Sequence, residues 1–178
     1  TTRYGEDTGL GRTGLAKLVA ALLAGTTFPW VRFLYAYPKT LHRSVLELMA
    51  REPRFLPYVD IPLQHASDRV LSLMRRHVTC EQQGGVIRRL RERVPDMSVR
   101  TTFISGFPGE TESDHKQLLE FIEEMKFDAV GVFEYSREDG TVAGTMEKDD
   151  SLAVPAEIKT RRRNEVMELQ QKIALARQ

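Results

Sequence analysis

One cysteine in 178 residues, Cys80, is the sharpest deficit of this chain. It permits neither an internal disulfide nor a cysteine-rich metal cluster, and it fits a reducing, cytoplasmic compartment. Charge of one sign is lacking too: 26 Lys and Arg against 25 Asp and Glu leave +1. Such a balance gives no overall attraction to nucleic acid or anionic lipid, so any macromolecular partner has to be recognised locally. The longest apolar run, residues 18–24, is far short of the roughly 20 residues that span a bilayer. There is no internal repeat, low-complexity tract, long polar linker or apolar signal region. The start, TTRYGED, has no initiator Met and reads as a segment cut from a longer protein. What remains, 41% hydrophobic and 29% charged residues, is the composition of an ordinary core-forming domain.

Strand-like runs alternate with helical ones. Residues 30–37 (WVRFLYAY) are rich in aromatic and β-branched side chains and stop at Pro38. Residues 58–63 (YVDIPL), 98–105 (SVRTTFIS) and 129–135 (AVGVFEY) are three further strand candidates, the first weakened by Pro62. Helical periodicity joins Leu15, Leu18, Val19, Leu22 and Leu23, and again Leu41, Val45, Leu48 and Met49. Ser67 can cap a helix carrying Val70, Leu71 and Met74. Thr79 with Gln82 resembles a capping box before Val86, Ile87 and Leu90, although Gly84-Gly85 disfavours that helix by about 1 kcal/mol per glycine. Thr111 with Asp114 opens a helix striped by Leu118, Leu119, Ile122 and Met125. Pro155, at a first-turn position, starts a last helix through Ile158, Val166, Leu169 and Ile173. This alternation predicts an α/β fold with a parallel sheet, either an open doubly wound sheet or part of a barrel. The unusual residues follow strands directly, at the carboxyl edge where such folds place their sites, and a barrel segment is the favoured reading.

Three stretches carry candidate chemistry. In TTFISGFPGET, residues 101–111, Gly106 and Gly109 allow close backbone approach to a ligand, and the helix N-terminus behind them offers N–H groups to an anion. A tight βα turn that needs Gly and Pro for geometry alone explains the stretch equally well. No Gly-Lys-Ser/Thr follows, so it is not a Walker loop. In YVDIPLQHAS, residues 58–67, Asp60, Gln64 and His65 place polar side chains on a mostly buried strand, which is unfavourable unless they find partners. An internal network or a cap accounts for them as readily as a site, and no Ser/His/Asp order or His-x-x-x-His spacing accompanies His65. In FEYSREDGTVA, residues 133–143, Tyr135, Ser136 and Arg137 follow the last strand, with a polar surface turn as the plain alternative. Arg75-Arg76 and Arg161-Arg162-Arg163 read as solvated helix faces. Residues 155–178 hold six Lys or Arg and three Glu.

Taken together, residues 1–5, 34–38, 58–67, 74–76, 101–111 and 135–141 resemble the radical S-adenosylmethionine domain of the methylthiotransferases. The resemblance is strongest to the branch that modifies an aspartate of a small-subunit ribosomal protein. The tRNA-modifying branch usually has a serine where His65 stands and other residues around Tyr35-Ala36-Tyr37.

The resemblance implies a partial, laterally open (β/α) TIM-type barrel holding S-adenosylmethionine beside a 4Fe-4S cluster. In that family a 5'-deoxyadenosyl radical removes hydrogen from the aspartate β-carbon, and an auxiliary cluster delivers sulfur. A flavodoxin- or ferredoxin-type partner supplies electrons. An open barrel shields a carbon radical from solvent while admitting a protein loop. Matching motif positions implies that Gly106, Phe107, Thr102 and Arg100 lie nearest the adenosine and methionine moieties. Gln64 and His65 then make ribose or substrate-side contacts, and Tyr135 contacts adenine. Residues 1–154 would be the barrel portion, and residues 155–178 a helix leading toward a substrate-recognition domain.

The family's Cys-x-x-x-Cys-x-x-Cys motif and first two barrel strands would lie upstream of Thr1. The chain alone is therefore expected neither to hold a cluster nor to cleave the cofactor, and direct nucleic-acid binding is not indicated. His115 replaces a common aromatic residue. Two other readings stay open: the same chemistry on tRNA adenosine, and a phosphate-binding barrel fragment without radical chemistry.

Overall fold

The computed structural model describes residues 2–37 and 40–177. They group into two compact units, one of Thr1–Pro62 with Gly85–Arg100 and one of Leu63–Gly84 with Thr101–Gln178. The stop assigned to Pro38, and Thr1 of the first resemblance block, lie outside the described residues. Among the described residues no helix is long and apolar enough to cross a membrane.

The first unit is built on two amphipathic helices, α1 (Gly14–Gly25) and α2 (Arg43–Arg51), which pack on each other. Of the predicted α1 stripe, Leu15, Val19 and Leu23 are buried, whereas Leu22 is exposed. Arg54 satisfies carbonyls left open at the α1 C-terminus, donating to Leu23 O at 2.5 Å and Thr26 O at 3.1 Å. Strand β1 (Tyr58–Asp60) pairs in parallel with the start of β2 (Ser98–Ser105), with Asp60 opposite Arg100. Phe33, Phe55, Val59, Ile87, Leu90 and Val99 form the core.

The expected strand at residues 30–37 is not formed. Val31 makes a single parallel bridge to Phe55, and Ala36 N–H reaches Asp60 O at 2.8 Å. Between these two points Tyr35 turns to φ 58°, a left-handed conformation that interrupts any ladder. Phe28, Trp30, Leu34, Tyr35 and Tyr37 are exposed.

The second unit begins where Gln64 bridges Phe103. Ser67 caps α3 (Asp68–Leu73) as expected, and Thr79 and Gln82 exchange the two bonds of a capping box before α4 (Cys80–Arg93). Cys80 opens that helix, its N–H bonded to Asp68 Oδ1 at 2.6 Å. Helix α4 tolerates Gly84-Gly85 and continues into the first unit. Beyond Arg100, β2 runs beside β3 (Ala129–Glu134), giving the order β1-β2-β3. The crossover from β2 to β3 is α5 (Glu112–Met125), opened by the Thr111/Asp114 capping box. Among the described residues three strands are thus observed where four were expected.

A short helix α6 (Val142–Met146) precedes α7 (Ala156–Ala176), which packs on β3 and α5. Pro155 is the N-cap of α7, one residue earlier than predicted. Phe103, Phe121 and Phe127 meet at centroid distances of 5.9–6.0 Å over Leu118, Ile122 and Val166.

Candidate functional site

The second unit concentrates polar and aromatic groups where β2 and β3 end. After Ser105 the chain turns through Gly106 at φ 73° and Gly109 at φ 83°, conformations that favour glycine. Glu110 folds back under this turn, and its Oε2 accepts the N–H of Gly106 at 2.6 Å and of Phe107 at 3.1 Å. At the start of α5, Asp114 Oδ2 accepts Thr111 N–H at 2.8 Å while Thr111 Oγ1 accepts Asp114 N–H. These N–H groups, offered to an external anion on sequence grounds, are taken by the chain's own carboxylates and hydroxyl. At these positions the tight-turn explanation fits the geometry.

Glu110 is fully buried and balanced by two neighbours. Arg162 Nη1 donates to Glu110 Oε1 and to its carbonyl oxygen, each at 3.1 Å. His65 Nδ1 accepts the Ser67 N–H at 2.9 Å, which puts the ring hydrogen on Nε2, 3.9 Å from Glu110 Oε2. Burial pushes the Glu110 carboxyl up; His65, Arg162 and the Gly106 N–H outweigh it and hold it below the ordinary carboxylate range. Asp114 is treated alike: burial raises it, and Arg69, Ser67 and Thr111 bring it well below that range.

The missing Cβ of Gly106 makes room for a side chain of this protein. A Cβ there would lie 2.2 Å from Lys159 Cγ. The Lys159 ammonium reaches Glu147 Oε1 at 2.6 Å and Tyr135 O at 3.2 Å, and lies 5.0 Å from the Tyr135 ring centroid. That ring meets Phe107 edge-on at 5.3 Å, and its hydroxyl is buried without a hydrogen-bond partner. Burial, and then the Glu147 charge, raise the Tyr135 pKa.

Beside this cluster is a cavity of about 290 Å³ lined by Gln64, Met74, Arg75, Arg76, Ile104 and Phe107, with Val142 of α6. Gln64 and Arg75 are left-handed, at φ 75° and 55°. Such backbone costs about 1–3 kcal/mol per residue and concentrates at ligand sites. The walls are mostly apolar, with two guanidinium groups and an amide: they suit a ligand with an apolar body and an anionic end.

Of the residues singled out by sequence, Gln64 and Phe107 line the cavity, and His65, Gly106 and Tyr135 cluster with Phe107. His65 lies fully buried against Ser67 and Glu110. Thr102 is half-buried, and its carbonyl accepts the Gln64 N–H at 3.0 Å. Arg100 is placed in the first unit, paired with Asp60 at 2.9 Å.

Sequence reasoning missed Arg162, Lys159 and Glu147. The reading of Arg161-Arg162-Arg163 as a solvated face is corrected for Arg162, which is 4% exposed. The signal was present: Lys159, Arg162, Val166, Gln170 and Ile173 repeat at helical spacing and form the buried face of α7.

Comparison with known proteins places this geometry in a lineage. The model of the radical SAM superfamily matches residues 3–122. The ribosomal protein uS12 methylthiotransferase RimO of Herpetosiphon aurantiacus is 47% identical over 177 residues, 99% of this chain and 37% of that protein. RimO of Flavobacterium johnsoniae is 47% identical over 173 residues, 97% of this chain and 38% of its own length. The chain thus spans less than two fifths of these curated relatives. Among solved structures, the radical SAM enzyme coproporphyrinogen III oxidase (HemN) of Escherichia coli superposes with a TM-score of 0.70 at 16% identity. That match covers 93% of this chain and 38% of HemN. TsrM of Kitasatospora setae, a radical S-adenosylmethionine methyltransferase solved with cobalamin and a [4Fe-4S] cluster, gives 0.57 at 17% identity. It covers 75% of this chain and 26% of TsrM. These likenesses establish the α/β partial-barrel fold.

Proposed function

This chain belongs to the radical SAM superfamily, and from that premise we propose that it is the barrel portion of a methylthiotransferase acting on ribosomal protein uS12. The observation that carries this reading is the 47% identity to a uS12 methylthiotransferase across 99% of the chain. Residues 1–154 then serve as barrel and residues 155–178 lead toward a substrate-recognition domain. The target is the β-carbon of an aspartate, and a flavodoxin- or ferredoxin-type protein supplies electrons in the cytoplasm.

The cavity fits S-adenosylmethionine. Met74, Ile104 and Phe107 give apolar walls for the purine and the methylene chain of this sulfonium compound, and Arg75 and Arg76 give positive charge for its carboxylate. Gln64 supplies an amide; Tyr135, which stands behind Phe107 rather than in the lining, is the residue read as contacting adenine, and its buried hydroxyl has no hydrogen-bond partner. When bound, S-adenosylmethionine supplies radical hydrogen abstraction and methyl transfer. The chain's own part is to hold and orient it: the Gly106-Phe107 turn is fixed from below by Glu110, and Tyr135 is fixed by Lys159. Val142, itself half exposed, borders the open side of the cavity.

A thiolate-ligated 4Fe-4S cluster does not fit the residues present. Cys80 is the only cysteine, and among the described residues no three His, Cys, Asp or Glu side chains converge on a metal site. We therefore expect the chain alone to gain no stoichiometric cluster and release no 5'-deoxyadenosine after anaerobic reconstitution. The full-length protein, reconstituted and incubated separately with small ribosomal subunits and with tRNA, should place a methylthio mass gain on an aspartate of uS12. A gain on tRNA adenosine instead would overturn the substrate assignment.

A further inference from the structure

We infer that Arg162 of α7 is a positioning residue for the cofactor cavity, acting through Glu110 on the Gly106-Phe107 turn. The inference rests on the reading of that cavity as the S-adenosylmethionine site. Phe107 lines the cavity, and its N–H and that of Gly106 both end on one oxygen, Glu110 Oε2. The orientation of Phe107 therefore depends on that carboxylate staying ionised and in place. A fully buried carboxylate keeps its charge only beside a partner. Arg162, itself 4% exposed, is that partner, gripping both Glu110 Oε1 and the Glu110 carbonyl oxygen.

The remaining contacts of Arg162 support a dedicated role. Its Nη2 reaches Glu112 Oε2 at 3.3 Å, while its Nε is buried without a hydrogen-bond partner. The guanidinium is thus held through its two terminal nitrogens at the start of α5, with Glu110 as its buried target. Lysine, a point charge without a planar fork, can reach Glu110 but does not hold Glu110 and Glu112 together through two nitrogens in one plane. The neighbouring His65 ring, with Nε2 3.9 Å from Glu110 Oε2, is beyond direct hydrogen-bond distance and adds to the hold of Arg162 without replacing it.

The test uses the full-length protein, with S-adenosylmethionine affinity measured by calorimetry and backbone exchange of the segment containing Gly106 and Phe107 measured by mass spectrometry. Arg162→Met should weaken binding by about tenfold or more and accelerate exchange in that segment, and Arg162→Lys should fall between it and the wild type. The double variant Arg162→Met/Glu110→Leu removes the buried charge imbalance and should regain thermal stability, yet bind as poorly as the single variant, because the turn N–H groups still lack their acceptor. Affinity that instead follows thermal stability across the series would reduce Arg162 to a structural role and overturn the inference. Should Arg162→Met not fold, Arg162→Lys decides alone: wild-type affinity with wild-type exchange refutes it. A wild-type protein that does not bind S-adenosylmethionine overturns the underlying reading of the cavity, whereas equal binding by wild type and variants overturns only the role of Arg162.

Discussion

Each unit of this protein holds a carboxylate facing an arginine, and the two pairs are built differently. In the first unit Asp60 is buried, but the Arg100 side chain is 41% exposed and stays in water. In the second unit Glu110 and Arg162 are both buried, and the carboxylate also carries two backbone N–H groups. The Asp60–Arg100 pair satisfies one strand residue across a parallel ladder, and its loss is cushioned by solvent. The Glu110–Arg162 pair holds a turn, and loss of either partner strands a charge in the interior.

The same contrast extends to the backbone. Gly106, a left-handed glycine of the second unit, is packed against the Lys159 stem, whereas the left-handed Tyr35 of the first unit is 71% exposed. The largest effect should therefore come from Gly106→Ala. Its new Cβ meets Lys159 Cγ at 2.2 Å and adds side-chain strain at φ 73°. Together these should cost about 3–4 kcal/mol in urea unfolding of the full-length protein. A cost below about 1 kcal/mol would mean that Lys159 moves aside freely. The second unit would then be no more tightly built than the first.

A smaller loss is expected in the first unit. Arg100→Ala leaves Asp60 buried and without its cation, but water already reaches the site of the guanidinium. Destabilisation of about 1–2 kcal/mol follows, measured in the same unfolding experiment. A loss as large as that of Gly106→Ala would erase the distinction between a solvated pair and an interior one.

What the sequence disclosed divides along this line. Elements specified by local chemistry were legible: the strand over residues 98–105 has the expected bounds, and the Thr111/Asp114 and Thr79/Gln82 boxes open helices where expected. The run at 30–37 misled because aromatic and β-branched composition reports a fit to a pleated surface. It says nothing of whether a partner strand is aligned along the whole run. The candidate site was legible only as a set of neighbouring positions. Gln64, Phe107, Gly106 and Tyr135 fall in or beside one cavity, but the α7 residues that brace it were hidden in a run of basic residues. Charge suggested solvent there, and the 3.6-residue period, had it been extended from Val166 and Ile173 back to Arg162 and Lys159, pointed inward.

The smallest predicted effect concerns Tyr35. Its side chain is mostly in water, so replacement removes little buried apolar surface. Its backbone at φ 58° costs a non-glycine residue about 1–2 kcal/mol. Glycine relieves that strain, while its freer unfolded chain returns about 0.5–1 kcal/mol of the gain. Tyr35→Gly should therefore stabilise the protein slightly, by about 0.5 kcal/mol, again read from urea unfolding. Clear destabilisation would show that the Tyr35 ring makes contacts worth more than its exposure suggests. It would also make the aromatic run of the first unit a packed feature, as the corresponding turn of the second unit is.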